Sequence, residues 1–208
     1  SFRREGFGIG DEEKLDPKAI KEKAWDRLRC TLPDESVGSY GVKFTADGSG
    51  VALVAAYKPV LGPVFVQPLK QANLGEGIDW LVRELVALAP DAAQIVIDGK
   101  AGVGALVNEL NDAGVRNKKQ LLVPSLDQVL AAHTMFEQNI ISGGLSHGGQ
   151  KDFTAQVTAA TKRTIGKSGG WGWQAPEGGT VVALDAATLA FWAAKVSKRR
   201  PGRKQVLL

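Results

Sequence analysis

At 208 residues, 44% of them apolar, the chain has material for one globular domain with a full core and little more than an appendage. The single cysteine, Cys30, excludes an internal disulfide and a cysteine-built zinc site; no apolar run is long enough to span a bilayer, and the polar opening Ser1-Phe2-Arg3-Arg4-Glu5 is no secretory leader. The net charge of +4 is unevenly spread, because Lys195, Lys198, Arg199, Arg200, Arg203 and Lys204 close the chain without an acid, leaving 20 basic residues (26 less these six) against 22 acidic ones.

Residues 1–37 read as a separate segment. Asp16 as N-cap and Pro17 at the first helical position predict a helix that Lys18 to Arg29 continue, with Ile20, Ala24, Trp25 and Leu28 as its apolar stripe. So charged a helix predicts a connector packed loosely on the main body, residues 38–196, with 197–208 as a basic tail. Strands are predicted at Tyr40–Phe44, Val51–Tyr57 and Val64–Leu69, the first pair joined by an Asp47-Gly48 hairpin turn. The pattern then changes to alternation. A helix is expected over Gly77–Ala89, a buried strand over Gln94–Asp98, a helix over Ala101–Ala113 and a short strand over Leu121–Val123. Ser125 caps the next helix, which runs to about Asn139. Gly143–His147 reads as a short strand or extended loop, Asp152–Lys162 as a helix, Gly166–Gly179 as a Gly-rich loop with Trp171 and Trp173, and the last helix starts near Leu184.

Two carboxylates stand out against this pattern. Asp98 ends an apolar strand, at the rim where α/β sheets build their sites, and Asp185 opens an apolar helix able to cover the same sheet. Two such acids can hold divalent ions, which take oxygen ligands, and metal pairs of this kind cleave phosphodiesters. Local chemistry offers both residues plainer roles: Asp complements the helix dipole in a first turn and opens turns before Gly. Gly99-Lys100-Ala101-Gly102-Val103-Gly104 invites a phosphate-loop reading, but its glycine spacing fits neither the P-loop nor the dinucleotide fingerprint.

Three antiparallel strands followed by alternating helix and strand is the plan of an α/β, ribonuclease H-like fold. Such a fold is a five-stranded mixed sheet with helices on both faces, in which the first and fourth strands lie parallel and adjacent. The chain resembles, more narrowly, the nuclease domain of the large terminase subunit of tailed bacteriophages. The matching pieces are Phe2–Ile9, Tyr40–Phe44 with Asp47-Gly48, Ile97-Asp98-Gly99, Leu145–Gln150, Gly170–Trp173 and Leu184–Ala190, in order over nearly the whole chain. No G-x-x-x-x-G-K-[ST] is present, so the resemblance is to the nuclease half without its motor.

The resemblance implies a Mg²⁺- or Mn²⁺-dependent endonuclease that cuts concatemeric double-stranded DNA by two-metal-ion hydrolysis during packaging. It further implies a phage or prophage protein acting in the cytoplasm of a bacterial host. Its partners would be DNA, the terminase ATPase domain, the small terminase subunit and the portal, with no membrane involved. Asp98 and Asp185 would hold the metals, with Asp47 a further candidate and Asp152, otherwise a helix cap, a lesser one. His147 would orient a water or contact the scissile phosphate, while His133, inside a helix, reads as a packing residue. Lys43, Lys100, Lys162, Arg163, Lys167, Arg199 and Arg200 are candidate DNA contacts, and Trp171 and Trp173 read as core-packing more than base-stacking. One departure matters. The family places an acid in the middle of the first strand, where this chain has Lys43. On the ribonuclease H-like plan its ammonium would lie beside Asp98 and compete with a cation. That departure supports a second reading, a DNA-docking and assembly module whose metal catalysis is impaired or lost.

Overall fold

The computed structural model describes residues 17–201. Its centre is a six-stranded mixed sheet in the order β5-β4-β1-β2-β3-β6. The first three strands are β1 (Ser36–Phe44), β2 (Gly50–Pro59) and β3 (Val64–Asn73), an antiparallel meander. β4 (Ala92–Asp98) joins β1 in parallel and brings Lys43 opposite Asp98; β5 (Leu121–Leu122) extends that side. β6 (Leu145–His147) pairs in parallel with β3 and is the strand that the five-stranded expectation lacked.

Alternation along the strands decides which side chains meet which helices. Tyr40, Val42 and Phe44 of β1, with Val51, Leu53 and Ala55 of β2 and Ile95 and Ile97 of β4, form one apolar layer under α2 (Asp79–Leu88) and α3 (Val103–Asp112). The opposite face of β2, Ala52, Val54 and Ala56, packs with α6 (Val182–Val196). Twelve of the fifteen residues of α6 are buried, which suits a helix covered on all sides. It is roofed by α4 (Leu126–Ser142) and α5 (Lys151–Ala159). Small residues allow the approach: a Cβ placed on Gly41 would stand 2.1 Å from the Ala186 carbonyl oxygen.

The caps follow sequence chemistry. Ser125 and Gln128 form a reciprocal capping box at the start of α4, as expected from Ser125. Gly102, at φ +87°, starts α3, and a Cβ there would meet the Phe44 ring at 2.6 Å. The glycines after Asp98 therefore let the chain turn tightly over Phe44, a packing task and not a phosphate cradle.

Four expectations differ in detail. The Gly-rich region is not a plain loop: Gly170–Gln174 is β8, paired antiparallel with β7 (Thr161–Ile165) in a separate hairpin. Consequently Lys162 lies on β7, and the helix before it stops at Ala159. The amino-terminal helix shrinks to α1 (Glu22–Asp26), with Lys21 in the cap position; Asp16 lies outside the described residues, as do the Phe2–Ile9 match and Arg203 and Lys204. Nor is that segment loosely packed. Trp25 is fully buried, against Phe136, Phe153 and His147, and Ile20 joins the same core.

Candidate active site

Asp98 is the last residue of β4, and Lys43 is paired with it across β1. Gly41 faces α6, so Lys43, two residues on, emerges on the α6 side of the sheet. Val96, two residues before Asp98, packs with Leu189, Trp192 and Ala193 of α6, which puts Asp98 on that side as well. The two side chains meet: Lys43 Nζ donates to Asp98 Oδ2 at 2.6 Å, with the side chains 23% and 20% exposed.

Asp185 lies in the first turn of α6, one turn before Leu189 and on the same stripe. The start of that helix is already supplied with acceptors, since Thr180 Oγ1 accepts from Val182 N and Gln156 Oε1 accepts from Ala183 N. Asp185 is thus spare, and what it faces is His133 of α4, whose Nε2 lies 3.5 Å from Asp185 Oδ1. His133 is 4% exposed, and its Nδ1 donates to the Val129 carbonyl at 2.7 Å. Its Nε2 is buried without a hydrogen-bond partner. At 3.5 Å the approach to Asp185 is too long for a good N–H···O bond. The β7–β8 hairpin walls the imidazole, with Trp171 and Trp173 ring centroids at 5.6 and 5.8 Å, and Trp173 is pinned by its Nε1–H donating to Thr188 Oγ1 at 2.8 Å. The sequence alone points to packing for His133. No local signal marks its partner, because the pairing arises only where α4 crosses α6 beneath the hairpin.

The other expected residues lie elsewhere. His147 is on β6, four strands from β4, 1% exposed and stacked on Trp25 at 3.9 Å between ring centroids. Both its nitrogens are used, Nε2 with the Trp25 carbonyl and Nδ1 accepting from Gly149 N, and burial pushes its pKa down. That is a core histidine, and the structure does not bring it to Asp98 or Asp185. Asp47 sits in the β1–β2 turn, where its Oδ1 accepts from Thr45 Oγ1, Ser49 N and Ser49 Oγ; these bonds hold its pKa at about 2. Asp152 is exposed in the first turn of α5 and Gln150 takes the cap position; it lines a groove between β3 and α5.

Lys100 and Lys167 are exposed on loops, Arg163 on β7 and Arg200 after α6, while Arg199 is half-buried. Lys162 is engaged by Glu137 and lies 4.2 Å over the Trp171 ring. Among the described residues no three His, Cys, Asp or Glu side chains are grouped to share one metal ion. What the site offers is two carboxylates on one face of the sheet, each with a nitrogen partner, Lys43 or His133.

No protein-family model matches the sequence, and no curated protein sequence matches it. Solved structures do match. The HK97 bacteriophage large terminase superposes with a TM-score of 0.64 at 14% identity over 86% of this chain; the chain spans 44% of that protein's length. The large terminase nuclease of thermophilic phage G20c gives 0.56 at 17% identity over 78% of this chain and 84% of the other, and it has also been solved with cobalt and with magnesium bound. The large terminase nuclease domain of Thermus phage P74-26 gives 0.52 at 13% identity, covering 82% of this chain and 93% of that domain. The chain therefore has the mixed α/β fold of large terminase nuclease domains.

Proposed function

We propose that this chain is a divalent-metal-dependent endonuclease domain acting on double-stranded DNA during phage genome packaging. The observation that carries the reading is that Asp98, at the carboxyl end of β4, lies on the side of the sheet that α6 covers, in line with Val96 and its contacts to the α6 stripe of Asp185, in a fold shared with terminase nucleases. Asp98 and Asp185 are oxygen donors of the type that Mg²⁺ and Mn²⁺ take, and the G20c nuclease holds magnesium and cobalt. Bound divalent ions would activate the nucleophile and stabilise charge on the leaving oxygen. The chain's own groups position the substrate. Lys43, beside Asp98, is placed to neutralise a phosphate oxygen, and Lys100, Arg163, Lys167, Arg199 and Arg200 supply backbone contacts that do not depend on sequence. By the same reading the partners are the packaging ATPase, the small terminase subunit and the portal, and the setting is the cytoplasm of a bacterial host.

The Lys43–Asp98 pair favours a second reading, in which the domain docks DNA and assembles the motor with catalysis weakened or lost. A plasmid-nicking assay with Mn²⁺, Mg²⁺ or EDTA separates the two. The nuclease reading expects metal-dependent nicking with little sequence preference, abolished in Asp98→Asn and in Asp185→Asn while the melting temperature holds. DNA binding without nicking in any metal would leave the docking module.

A further inference from the structure

We infer that His133 is a metal ligand of this chain: its Nε2 and the Asp185 carboxylate together hold one divalent cation, with Zn²⁺ or Co²⁺ preferred over Mg²⁺. The inference rests on the site proposed above and adds to it a donor that an all-carboxylate site lacks.

The argument begins at the other ring nitrogen. A backbone carbonyl only accepts, so Nδ1, 2.7 Å from the Val129 oxygen, carries the ring proton. In the neutral imidazole that leaves a lone pair on Nε2. Ligating histidines are held in the same way, one N–H bound to a carbonyl or carboxylate so that the ring orientation and the tautomer are fixed. The lone pair then has nothing to accept: Nε2 is buried and unpartnered, and the atom it approaches is a carboxylate oxygen. Two acceptors side by side repel unless a proton or a metal cation lies between them, and 3.5 Å is too long for a good N–H···O bond. That separation suits a metal cation. Two donors with bonds of about 2.0–2.2 Å in a tetrahedral shell stand roughly 3.4 Å apart.

The surroundings agree with that placement. Position 172 is glycine, and the space that a Cβ would take there is filled by the Ile165 side chain, which closes this side of the imidazole with apolar atoms. Trp171 and Trp173 make the remaining wall apolar, and Asp185, 20% exposed, gives access from the rim. On β4 the ammonium of Lys43 already holds Asp98 Oδ2. A cation is therefore drawn away from Lys43, toward Asp185 and His133. An imidazole donor selects borderline transition metals, whereas Mg²⁺ keeps an oxygen shell.

The test uses the whole chain carrying Cys30→Ser, because Cys30 is an exposed thiol that would itself take Zn²⁺ or Co²⁺. His133→Phe keeps a ring between the two tryptophans and removes the donor, and His133→Asn is the second variant should the first fail to fold. Titration calorimetry is expected to show Zn²⁺ and Co²⁺ binding at least about tenfold weaker in either variant, the reduction typical of a disturbed metal shell, with Mg²⁺ binding unchanged. The visible spectrum of the Co²⁺ form is expected to lose intensity, and the His133 Nε2 resonance in ¹⁵N-histidine-labelled protein to shift on Zn²⁺ addition. Unchanged Zn²⁺ affinity and an unchanged Co²⁺ spectrum in both variants would overturn the inference, and metal-dependent nicking retained alongside them would leave the nuclease reading standing. Zn²⁺ bound through His133 without nicking in any metal would uphold the inference and end the nuclease reading.

Discussion

Lys43 is the residue whose charge decides what Asp98 can do. An ammonium 2.6 Å from Oδ2 competes for the oxygen that a cation would use. Lys43→Asp is therefore expected to tighten Mn²⁺ binding by about tenfold, equivalent to about 1.4 kcal/mol, and to raise nicking; calorimetry against the wild type reads the first effect. Equal affinity would mean that Asp98 takes no part in holding metal. His147 is governed by burial instead. Its folded pKa lies below the ordinary value of 6.5, so between the two the unfolded chain binds the proton and the folded one does not. Stability should then be fully present above the unfolded value and fall as pH drops through 6.5 toward the folded one. His147→Phe keeps the stack on Trp25 but strands Gly149 N, while the Trp25 carbonyl keeps Leu28 N as a donor. It is expected to cost about 1–3 kcal/mol near neutral pH and to flatten this slope, both readable from urea midpoints across pH.

At the scale of elements, the packing of α6 on β1 governs the site, because it sets how Asp185 lies over the sheet. That packing depends on Gly41, where a side chain would collide with helix backbone that cannot step aside. Gly41→Val is expected to destabilise by about 3 kcal/mol, the upper end of overpacking. That would lower the melting temperature by about 6–12 °C in a domain of this size, with metal affinity falling as well. Much of this layer is legible in the sequence. The meander, the β4 strand and the two helices that flank it follow from period-2 and period-3.6 patterns, and the β1–β4 neighbourhood that joins Lys43 to Asp98 follows from the ribonuclease H-like plan that the order of elements resembles. The hairpin is not legible: Thr161–Ile165 is charged and largely exposed, and Gly170–Gln174 carries glycines that weaken a strand signal, so only their mutual pairing reveals them. The same holds for His133 and Asp185. Each looks ordinary on its own helix, and the pair exists only through tertiary packing.

For the whole molecule, charge lies where a long polyanion would track the surface. Beyond α6, the helix that carries Asp185, the sequence goes on through Lys198, Arg199, Arg200, Arg203 and Lys204. If they grip phosphates, ending the chain at Val196 should weaken DNA binding equally across sequences. The slope of log affinity against log salt should flatten by about 0.9 for every phosphate that the shortened chain leaves unneutralised. An unaltered slope would make the tail a solvated terminus. Among the described residues no helix is long and apolar enough to cross a membrane.

The way the sheet ends on the β6 side bears on solubility. A strand at the border of a sheet exposes unpaired amides and carbonyls that invite another chain to add on. Here the stretch after α1 closes that border: His147 N donates to the Leu28 carbonyl, Cys30 N donates to the His147 carbonyl, and Trp25 covers the ring between them. At the opposite border β5 is only two residues long, preceded by exposed Lys118 and Lys119, and is too short and too charged to serve as a template. A shortened chain starting at Asp34 would uncover β6 and empty the cavity that Trp25 fills. It is expected to self-associate through edge pairing, eluting larger than the whole chain in size-exclusion chromatography and raising thioflavin fluorescence on standing. The charged segment that reads as a mere lead-in is, in colloidal terms, the domain's guard against aggregation.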